Sequence, residues 1–430
     1  MKRKVINELI HWKTEDRGKP ILLTGAKGVG KTYLAYDFAK AFFKHICYLN
    51  FERDPRTAVS LITADSEGIA PGIMEYFHIA EEAPVESRVL ILDEINRSED
   101  MVSLVNKFIA TGIFRHIICI SSNTVPEEIT KTAVILPVYP LEFDEFLLAT
   151  GNEWYIESIL THYNTNSKIP DIVHKELIAL HRLYLQIGGM PGIINEYLNL
   201  SSVVNVSEQH NFLVGSYHDY ILRDNSDSDA LKMKQVFDSL VLQLMKENRK
   251  FQYKLIRKGT THSMYKDAIQ KLCDNHYIIR CDRISTEQLQ APVQTFSGHI
   301  LQNSSENTNF KLFLPDTGLL YTRLVEEQGA AAPQIYRRAI LENYIARSLH
   351  TKNYPFGFWE SDSMAEIDFV YLKNNRLYPV EIFEGTNTRS KSISILKQKC
   401  EFPYAVKISS KNFDFAGGVK YVPYYAAFCL

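Results

Sequence analysis

One stretch near the start of the chain combines the residue types that bind phosphate groups. Residues 25–32 read GAKGVGKT, which fits the pattern G-x-x-x-x-G-K-[ST]. Glycines let backbone N–H groups close around a phosphate, Lys31 can reach the β- and γ-phosphates, and the hydroxyl of Thr32 can bind Mg²⁺. The residues expected to bind ATP with Mg²⁺ are Gly25, Ala26, Lys27, Gly28, Val29, Gly30, Lys31 and Thr32.

The flanking segments give this loop the setting that an anion site needs. Pro20 to Thr24 is a short apolar run typical of a buried parallel strand, and Tyr33 to Phe43 carries apolar residues at helical spacing. A strand, a glycine-rich turn and a helix N-terminus together favour phosphate binding. The alternative is a glycine-rich turn that arose by chance.

An acid pair and a polar triplet follow two further predicted strands. Val89 to Leu92 (VLIL) leads into Asp93, expected to hold Mg²⁺, and Glu94, expected to orient or deprotonate the attacking water. The strand His116–Ile120 leads into Ser121-Ser122-Asn123, where Asn123 or Ser121 could sense the γ-phosphate. The alternative for the acid pair is that both acids are solvated residues at a strand end. The alternative for the polar triplet is that it only begins a loop.

Composition limits the classes of protein that remain. The 430 residues predict two to four domains, and 45% hydrophobic with 23% charged residues is ordinary globular composition. A net charge of −2 excludes a globally basic nucleic-acid binder, although not a local basic face. We expect no secretory signal, no membrane span, no zinc or disulfide framework from the six scattered cysteines, and a cytoplasmic location.

The order of predicted elements divides the chain into four domains. Alternating strands and helices predict a doubly wound parallel α/β sheet of the P-loop NTPase type over residues 1–145. Residues 146–225 are predicted as a helical lid in which the GGMPG stretch, with Pro191, makes a kink over the nucleotide or a plain interhelical turn. A helix is also predicted at Ala58–His78, with a break near Gly68 to Gly72.

Residues 226–300 are predicted to form a winged-helix-like domain. From Phe251 to Arg283 the pattern indicates helix, turn, helix and strand, and a polar loop is expected at Gln302–Asn309. Contact with DNA and contact with other domains both stay open here. The basic residues of the segment are Lys250, Lys254, Arg257, Lys258, Lys266 and Lys271.

Residues 301–430 are predicted as a final α/β domain with three separated acids. Glu342 lies on a helix, Asp368 on a β-hairpin and Glu381 near the end of the next strand, which is the skeleton of a PD-(D/E)xK metal nuclease site. Phe383 stands where such a site has lysine, and Lys391 lies ten residues after Glu381. The alternative is a retained fold whose acids are structural.

Taken together, the chain resembles prokaryotic AAA-type ATPases that carry a C-terminal restriction-endonuclease-like domain of unknown function. The stretches that carry the resemblance are GAKGVGKT, VLILDE, PLEFDEFL, YLQIGGMPG, FKLFLPDTGLL, LENYIARSL, AEIDFVY, PVEIFEG and KISSKNF. The resemblance implies an ATPase core, a helical lid, a winged helix and a nuclease-like domain, with a relation to STAND-type signalling ATPases. In that family the second acid is usually followed by Val-Lys, and Ile382-Phe383 here argues against nuclease activity.

Three functions compete at this point. The favoured hypothesis is an ATP-driven conformational switch with an unknown protein partner, in which Arg97 or Arg115 of a neighbouring copy completes the site of a homo-oligomer. The second is an ATP-regulated, Mg²⁺-dependent nuclease. The third is a DNA- or protein-binding module with a slow ATPase.

Overall fold

The structure is a computed structural model that divides into two compact units, residues 1–139 and 140–430. It describes residues 1–15, 18–54, 56, 66–80, 82–97, 100–200, 202, 204–291, 306–361 and 365–430. Residues 58–65 of the predicted helix Ala58–His78 lie outside these ranges, as do residues 302–305 of the predicted polar loop. The break predicted near Gly68 to Gly72 is wrong, because the described helix runs without interruption from Ser66 to Tyr76.

Five described strands of the first unit form one parallel sheet in the order β2-β3-β4-β1-β5. The strand β4 therefore lies between the strand before the glycine-rich loop and the strand before the acid pair. The five strands are β1 Ile21–Thr24, β2 His45–Asn50, β3 Arg88–Asp93, β4 His116–Ile120 and β5 Val134–Pro137.

Helices cover this sheet because their apolar faces can be buried against it. Leu34 and Phe38 of α2 are fully buried, as are Leu104 and Phe108 of α4, in agreement with the apolar spacing of both segments. The described α-helices are α1 Ile6–Glu15, α2 Lys31–Phe42, α3 Ser66–Tyr76, α4 Met101–Thr111 and α5 Glu127–Thr132.

The second unit contains a mixed sheet of eight described strands in the order β12-β13-β11-β10-β9-β8-β6-β7. Its strands are β6 Ile279–Ile284, β7 Phe310–Phe313, β8 Phe356–Glu360, β9 Glu366–Lys373, β10 Arg376–Ile382, β11 Ala405–Ser409, β12 Asp414–Ala416 and β13 Val419–Pro423.

The described helices of the second unit lie mostly before and between these strands. They are α6 Phe143–Ala149, α7 Trp154–Thr165, α8 Asp171–Ile187, α9 Pro191–Leu200, α10 Val204–Asp224, α11 Asp227–Leu244, α12 His262–Asp274, α13 Thr286–Gln290, α14 Thr317–Gln328, α15 Ala332–Ile335, α16 Arg337–Thr351 and α17 Ser392–Lys397.

Two features around residue 270 differ from the sequence expectation. The helix expected after Phe251 is only one 3-10 turn, Tyr253–Leu255, and the hydroxyl of Thr260 folds back to donate to the carbonyl of Tyr253. The strand β6 pairs with β7 and also, in parallel, with β8 of the predicted final domain. Consequently the predicted winged-helix and final domains share one sheet.

Within the described ranges, no single helix is both long and apolar enough to cross a membrane, although α8 and α9 reach that length and composition together with a 115° bend between them.

Candidate functional site

The glycine-rich loop connects β1 to the first turn of α2. Gly25 has φ +138°, and a Cβ atom there would lie 2.2 Å from the carbonyl oxygen of Val138. Gly30 precedes α2 with φ +89°, a backbone conformation that residues with a side chain rarely adopt. These glycines allow the close turn that aims backbone N–H groups into the loop at the N-terminus of a twelve-residue helix.

Lys31 is folded back over this loop and is buried, with 5% of its surface exposed. Its Nζ donates to the carbonyl oxygens of Gly25 (2.8 Å) and Ala26 (3.1 Å), and to Ser122 Oγ (3.0 Å). Burial lowers the pKa of Lys31 to about 8, while Glu94 and Asp93 act in the opposite direction. A phosphate would supply a negatively charged acceptor in place of the neutral oxygens that now accept from this buried ammonium group.

Asp93 ends β3 beside the first turn of α2. Its Oδ2 accepts hydrogen bonds from Thr32 Oγ1 (2.9 Å), Tyr48 OH (2.6 Å) and Asn50 Nδ2 (3.1 Å). Burial, followed by the hydrogen bond to Asp93, raises the pKa of Tyr48 to about 12, so the phenol stays a donor. Sequence reasoning missed Tyr48 and Asn50, whose only signal is their place at the end of the neighbouring strand β2.

Glu94 has a backbone conformation that is costly for a residue with a side chain. Its φ is +52°, which costs roughly 1–3 kcal/mol and persists only where surrounding contacts fix the backbone. The backbone N–H of Glu94 donates to Asp93 Oδ1 at 3.0 Å. The turn places the Glu94 carboxylate toward the end of β4, away from the Asp93 carboxylate that faces Thr32.

Ser122 connects the acid to the lysine. Its hydroxyl accepts from Lys31 and donates to Glu94 Oε1 at 2.5 Å, while its N–H donates to Oε2 at 3.3 Å. The sequence had suggested Asn123 or Ser121 at this point, but the hydroxyl of Ser121 contacts Asn96 and the carbonyl of Asn123. The sequence carries no signal that selects the middle residue of this polar triplet.

These residues fit Mg²⁺ with ATP. Magnesium in phosphate sites uses one or two protein oxygens, and Thr32 Oγ1 and Asp93 Oδ2 lie 2.9 Å apart. The glycine loop and the buried Lys31 supply donors for phosphate oxygens without any acid inside the loop. The sequence-predicted residues Lys31, Thr32, Asp93 and Glu94 are therefore brought together.

The two arginine candidates lie at opposite edges of the sheet. Arg97 ends a 3-10 turn just after Glu94, and its Nη2 lies 3.9 Å from Glu52 Oε1. Arg115 precedes β4 at the amino edge and pairs with Glu86 at 3.2 Å. Insertion of either side chain into the site of another copy stays a prediction.

The GGMPG stretch breaks the helical pattern inside the second unit. The helix α8 ends at Ile187 and α9 begins at Pro191. Cβ atoms at Gly188 and Gly189 would lie 2.0 Å from Asp316 Oδ1 and 2.3 Å from the carbonyl oxygen of Leu141. The glycines therefore permit close packing with two other segments, and a position of Pro191 over the nucleotide stays a prediction.

The three acids of the predicted nuclease-like site are buried in the second unit. Glu342 is fully buried and contacts Arg249 Nη2 (2.8 Å) and Arg338 Nε (2.9 Å), with Lys311 Nζ at 3.5 Å. Burial alone would raise the pKa of Glu342, but these three cations hold that pKa below its usual range. Arg338 also pairs with Asp368, so one guanidinium joins two of the acids.

Lysine enters this cluster from a strand that the sequence pattern did not indicate. Lys407 of β11 stands opposite Glu381 in the sheet, and its Nζ lies 3.5 Å from Oε2 and 5.3 Å from the centre of the Phe383 ring. Lys391 is instead exposed at the start of α17. Burial raises the pKa of Asp368 and of Glu381.

The cluster does not fit a Mg²⁺ site because arginine and lysine groups already contact its carboxylates. Among the described residues, no group of three or more His, Cys, Asp or Glu side chains is placed to hold a metal ion. Nuclease chemistry at Glu342, Asp368 and Glu381 is therefore not proposed.

The basic segment, for which contact with DNA and contact with other domains both stayed open, is partly neutralised. Lys266 pairs with Glu306 at 3.1 Å and Lys271 with Asp229 at 2.6 Å, and Lys250 pairs with Glu360. The exposed basic residues from the 3-10 turn up to α12 are Lys254, Arg257 and Lys258. DNA contact by these three residues stays a prediction.

The sheet order, the loop after β1 and the acids after β3 define the first unit as a P-loop nucleotide-binding α/β domain. Residues 17–147 match the family model of an AAA domain, which confirms the predicted AAA-type core. Residues 179–328 and 337–427 match two domains of unknown function, DUF8612 and DUF4143. The winged helix and the endonuclease-like domain stay predictions.

No curated protein matches the chain. Among solved structures, a Walker-type ATPase of Pyrococcus abyssi is 14% identical, with a TM-score of 0.43 over 75% of this chain and 95% of that one. PCH-2 of C. elegans is 16% identical, with a TM-score of 0.26 over 37% of this chain and 49% of that one. The Drosophila ORC bound to DNA is 11% identical, with a TM-score of 0.29 over 74% of this chain and 84% of that one. With TM-scores below 0.5, these likenesses support no conclusion about function.

Proposed function

We propose that this protein is a Mg²⁺-dependent ATPase whose nucleotide state switches its conformation. The observation that supports the proposal is the hydrogen-bonded group of Lys31, Ser122 and Glu94 beside the Thr32–Asp93 pair at the carboxyl edge of the parallel sheet. Ligands of open α/β sheets bind at this edge.

Each residue of the group has a role that follows from its chemistry. The loop N–H groups and Lys31 bind the phosphates, and Thr32 and Asp93 hold Mg²⁺, which supplies positive charge against the phosphate oxygens. Tyr48 and Asn50 orient Asp93 through neutral hydrogen bonds and leave its charge available. Glu94 is the carboxylate that orients the attacking water.

The switch in this proposal begins at Ser122. Its hydroxyl has one proton, given to Glu94, and it accepts from the ammonium group of Lys31. A γ-phosphate competes with Ser122 for Lys31, and this competition changes the hydrogen bonding of Glu94. The presence of the γ-phosphate is therefore sensed by the residue that assists its hydrolysis.

ATP turnover of the purified protein tests the proposal. Replacing Glu94 by glutamine removes the base but keeps the hydrogen bond from Ser122, so turnover falls by about 10²–10⁴-fold while ATP still binds. Lys31→Ala weakens ATP binding itself. ATP turnover is measured as the rate of phosphate release, and ATP binding is measured by calorimetry. Both measurements are made with and without duplex DNA.

Glu128→Gln is the matched control, because Glu128 is an exposed glutamate of the same unit. Equal turnover by the wild type and Glu94→Gln would show that Glu94 does not assist hydrolysis. Unchanged ATP affinity in Lys31→Ala would refute the phosphate site. Stimulation by DNA would identify nucleic acid as a partner, whereas its absence would favour a protein partner.

A further inference from the structure

Resting on the proposed nucleotide switch, we infer that residues 139–141 transmit the nucleotide state of the first unit to the second, and that Arg3 and Arg347 are the positioning residues that hold this segment. Tyr139 is the last residue of the first unit, and Pro140 is the first of the second. Three successive carbonyl oxygens, at Tyr139, Pro140 and Leu141, each accept a hydrogen bond from a buried guanidinium group.

Arg3 connects the phosphate loop to this segment from within the first unit. It is 8% exposed, and it donates from Nη1 to the carbonyl oxygen of Val29 (3.0 Å) and from Nη2 to that of Tyr139 (2.7 Å). Val29 lies between Gly28 and Gly30, the glycines with positive φ. A change in the loop therefore changes the hydrogen bonding of Tyr139.

A second connection reinforces the first at the other end of the loop. The N–H of Val138 donates to the carbonyl oxygen of Thr24 at 2.8 Å, and the carbonyl oxygen of Val138 packs against Gly25. The start of the phosphate loop thus contacts Val138 directly, and Val29 inside the loop is linked to Tyr139 through Arg3. Pro140 restricts Tyr139 to extended conformations and so stiffens the chain at this point.

Arg347 binds the following two carbonyl groups from within the second unit. It is 1% exposed and donates to the carbonyl oxygens of Pro140 and Leu141 and to the hydroxyl of Tyr184. The hydroxyl of Tyr184 donates in turn to Leu141 O at 2.8 Å. A guanidinium cannot lose its proton, so any displacement of these carbonyls leaves a buried charge without acceptors.

Leu141 leads directly to the glycine pair of the GGMPG stretch. Its N–H donates to the carbonyl oxygen of Gly189 (2.7 Å), and the N–H of Gly189 donates to Asp316 Oδ2 (2.6 Å). Asp316 also caps α14 through the N–H groups of Gly318 and Leu319. A shift of residues 139–141 therefore reaches the ends of α8 and α14.

Hydrogen exchange of the full chain, with and without a saturating non-hydrolysable ATP analogue and Mg²⁺, tests this inference. In the wild type we expect slower exchange at residues 25–32 and also a several-fold change at residues 184–190 and 316–320. In Arg3→Met the analogue still protects the loop at saturation, but the change in the second unit is lost. Arg3→Lys, which keeps a buried donor, restores part of it, and exposed Lys2→Met leaves it intact.

Tyr184→Phe keeps the test decisive if Arg3→Met does not fold. This variant removes the hydroxyl contact with Leu141 and Arg347, so ATP affinity stays unchanged while the change at residues 316–320 is reduced. Protection of residues 25–32 without any change in the wild-type second unit would overturn the inference and leave nucleotide binding intact. A full second-unit change in both variants would also overturn it, whereas no protection of residues 25–32 would refute the proposed function itself.

Discussion

Two groups of buried acids in this chain have opposite electrostatic surroundings. Asp93 accepts hydrogen bonds from neutral donors, and Glu94 does so from Ser122, with Lys31 as the cation that contacts the same serine. Glu342 and Asp368 instead meet three cations, Arg249, Lys311 and Arg338.

The difference teaches how a cluster of acids either keeps or loses the capacity to bind a cation. Neutral donors such as Thr32 and Tyr48 fix a carboxylate without cancelling its charge, so a divalent ion still gains from approaching Asp93. Guanidinium and ammonium groups cancel the charge and occupy the same oxygens. An acid triad that suggests a metal site in the sequence can therefore be an internal ion cluster in the fold.

Truncation of the central acid should have the largest effect. Glu342→Ala leaves the buried Lys311 and the half-buried Arg249 and Arg338 without their shared acid, and we expect the second unit to lose about 3–5 kcal/mol of unfolding free energy. Urea unfolding, monitored by hydrogen exchange at residues 337–351, measures this loss of free energy. Glu384→Ala, at an exposed acid, should change little, and a similarly small loss for Glu342→Ala would show that the cluster is not a buried ion network.

Acidification should destabilise the second unit. Burial lowers the pKa of His181 to about 3, below its unfolded value of 6.5, so the unfolded chain binds the extra proton and stability falls as pH falls from 6.5 toward 3. From pH 6.5 to 4.5 this histidine alone should cost the second unit about 2 kcal/mol. Burial also lowers the pKa of His350, to about 4, and that of His210.

Urea midpoints measured across this pH range test the prediction. The phenyl ring of His181→Phe fits between Phe143 and Tyr344, whose rings already pack on the imidazole. This variant should therefore lose less stability between pH 6.5 and 4.5 than the wild type, by about 2 kcal/mol. His11→Phe, at an exposed histidine of the first unit, should leave the slope unchanged. An unaltered slope in His181→Phe would mean that His181 is not the group that titrates.

The smallest effect should arise at the neutral donor. Ser122→Ala removes the hydroxyl between Lys31 and Glu94, and we expect ATP turnover to fall about tenfold, near 1.4 kcal/mol. Ser121→Ala should have a smaller effect because that hydroxyl contacts Asn96 and the Asn123 backbone. A larger loss in Ser121→Ala than in Ser122→Ala would reassign the sensing residue.

The sequence by itself determined the local features of the first unit. A motif of fixed spacing identified Lys31 and Thr32, and a buried strand that ends in two acids identified Asp93 and Glu94. Residues 116–120 form the predicted strand with the predicted bounds. These features depend on neighbours in the chain, and apolar periodicity and glycine turns encode such neighbours directly.

Only the tertiary structure decided which distant side chains meet. The sheet order put Ser122 between Lys31 and Glu94, and strand pairing brought Lys407 opposite Glu381. Arg249 and Lys311 reach Glu342 because α16 packs beside the sheet that holds β7 and β9, whereas Arg338 stands four residues before Glu342 on the same helix. No local pattern records such pairings, since they are fixed by chain crossings and by the need of each buried charge for a partner.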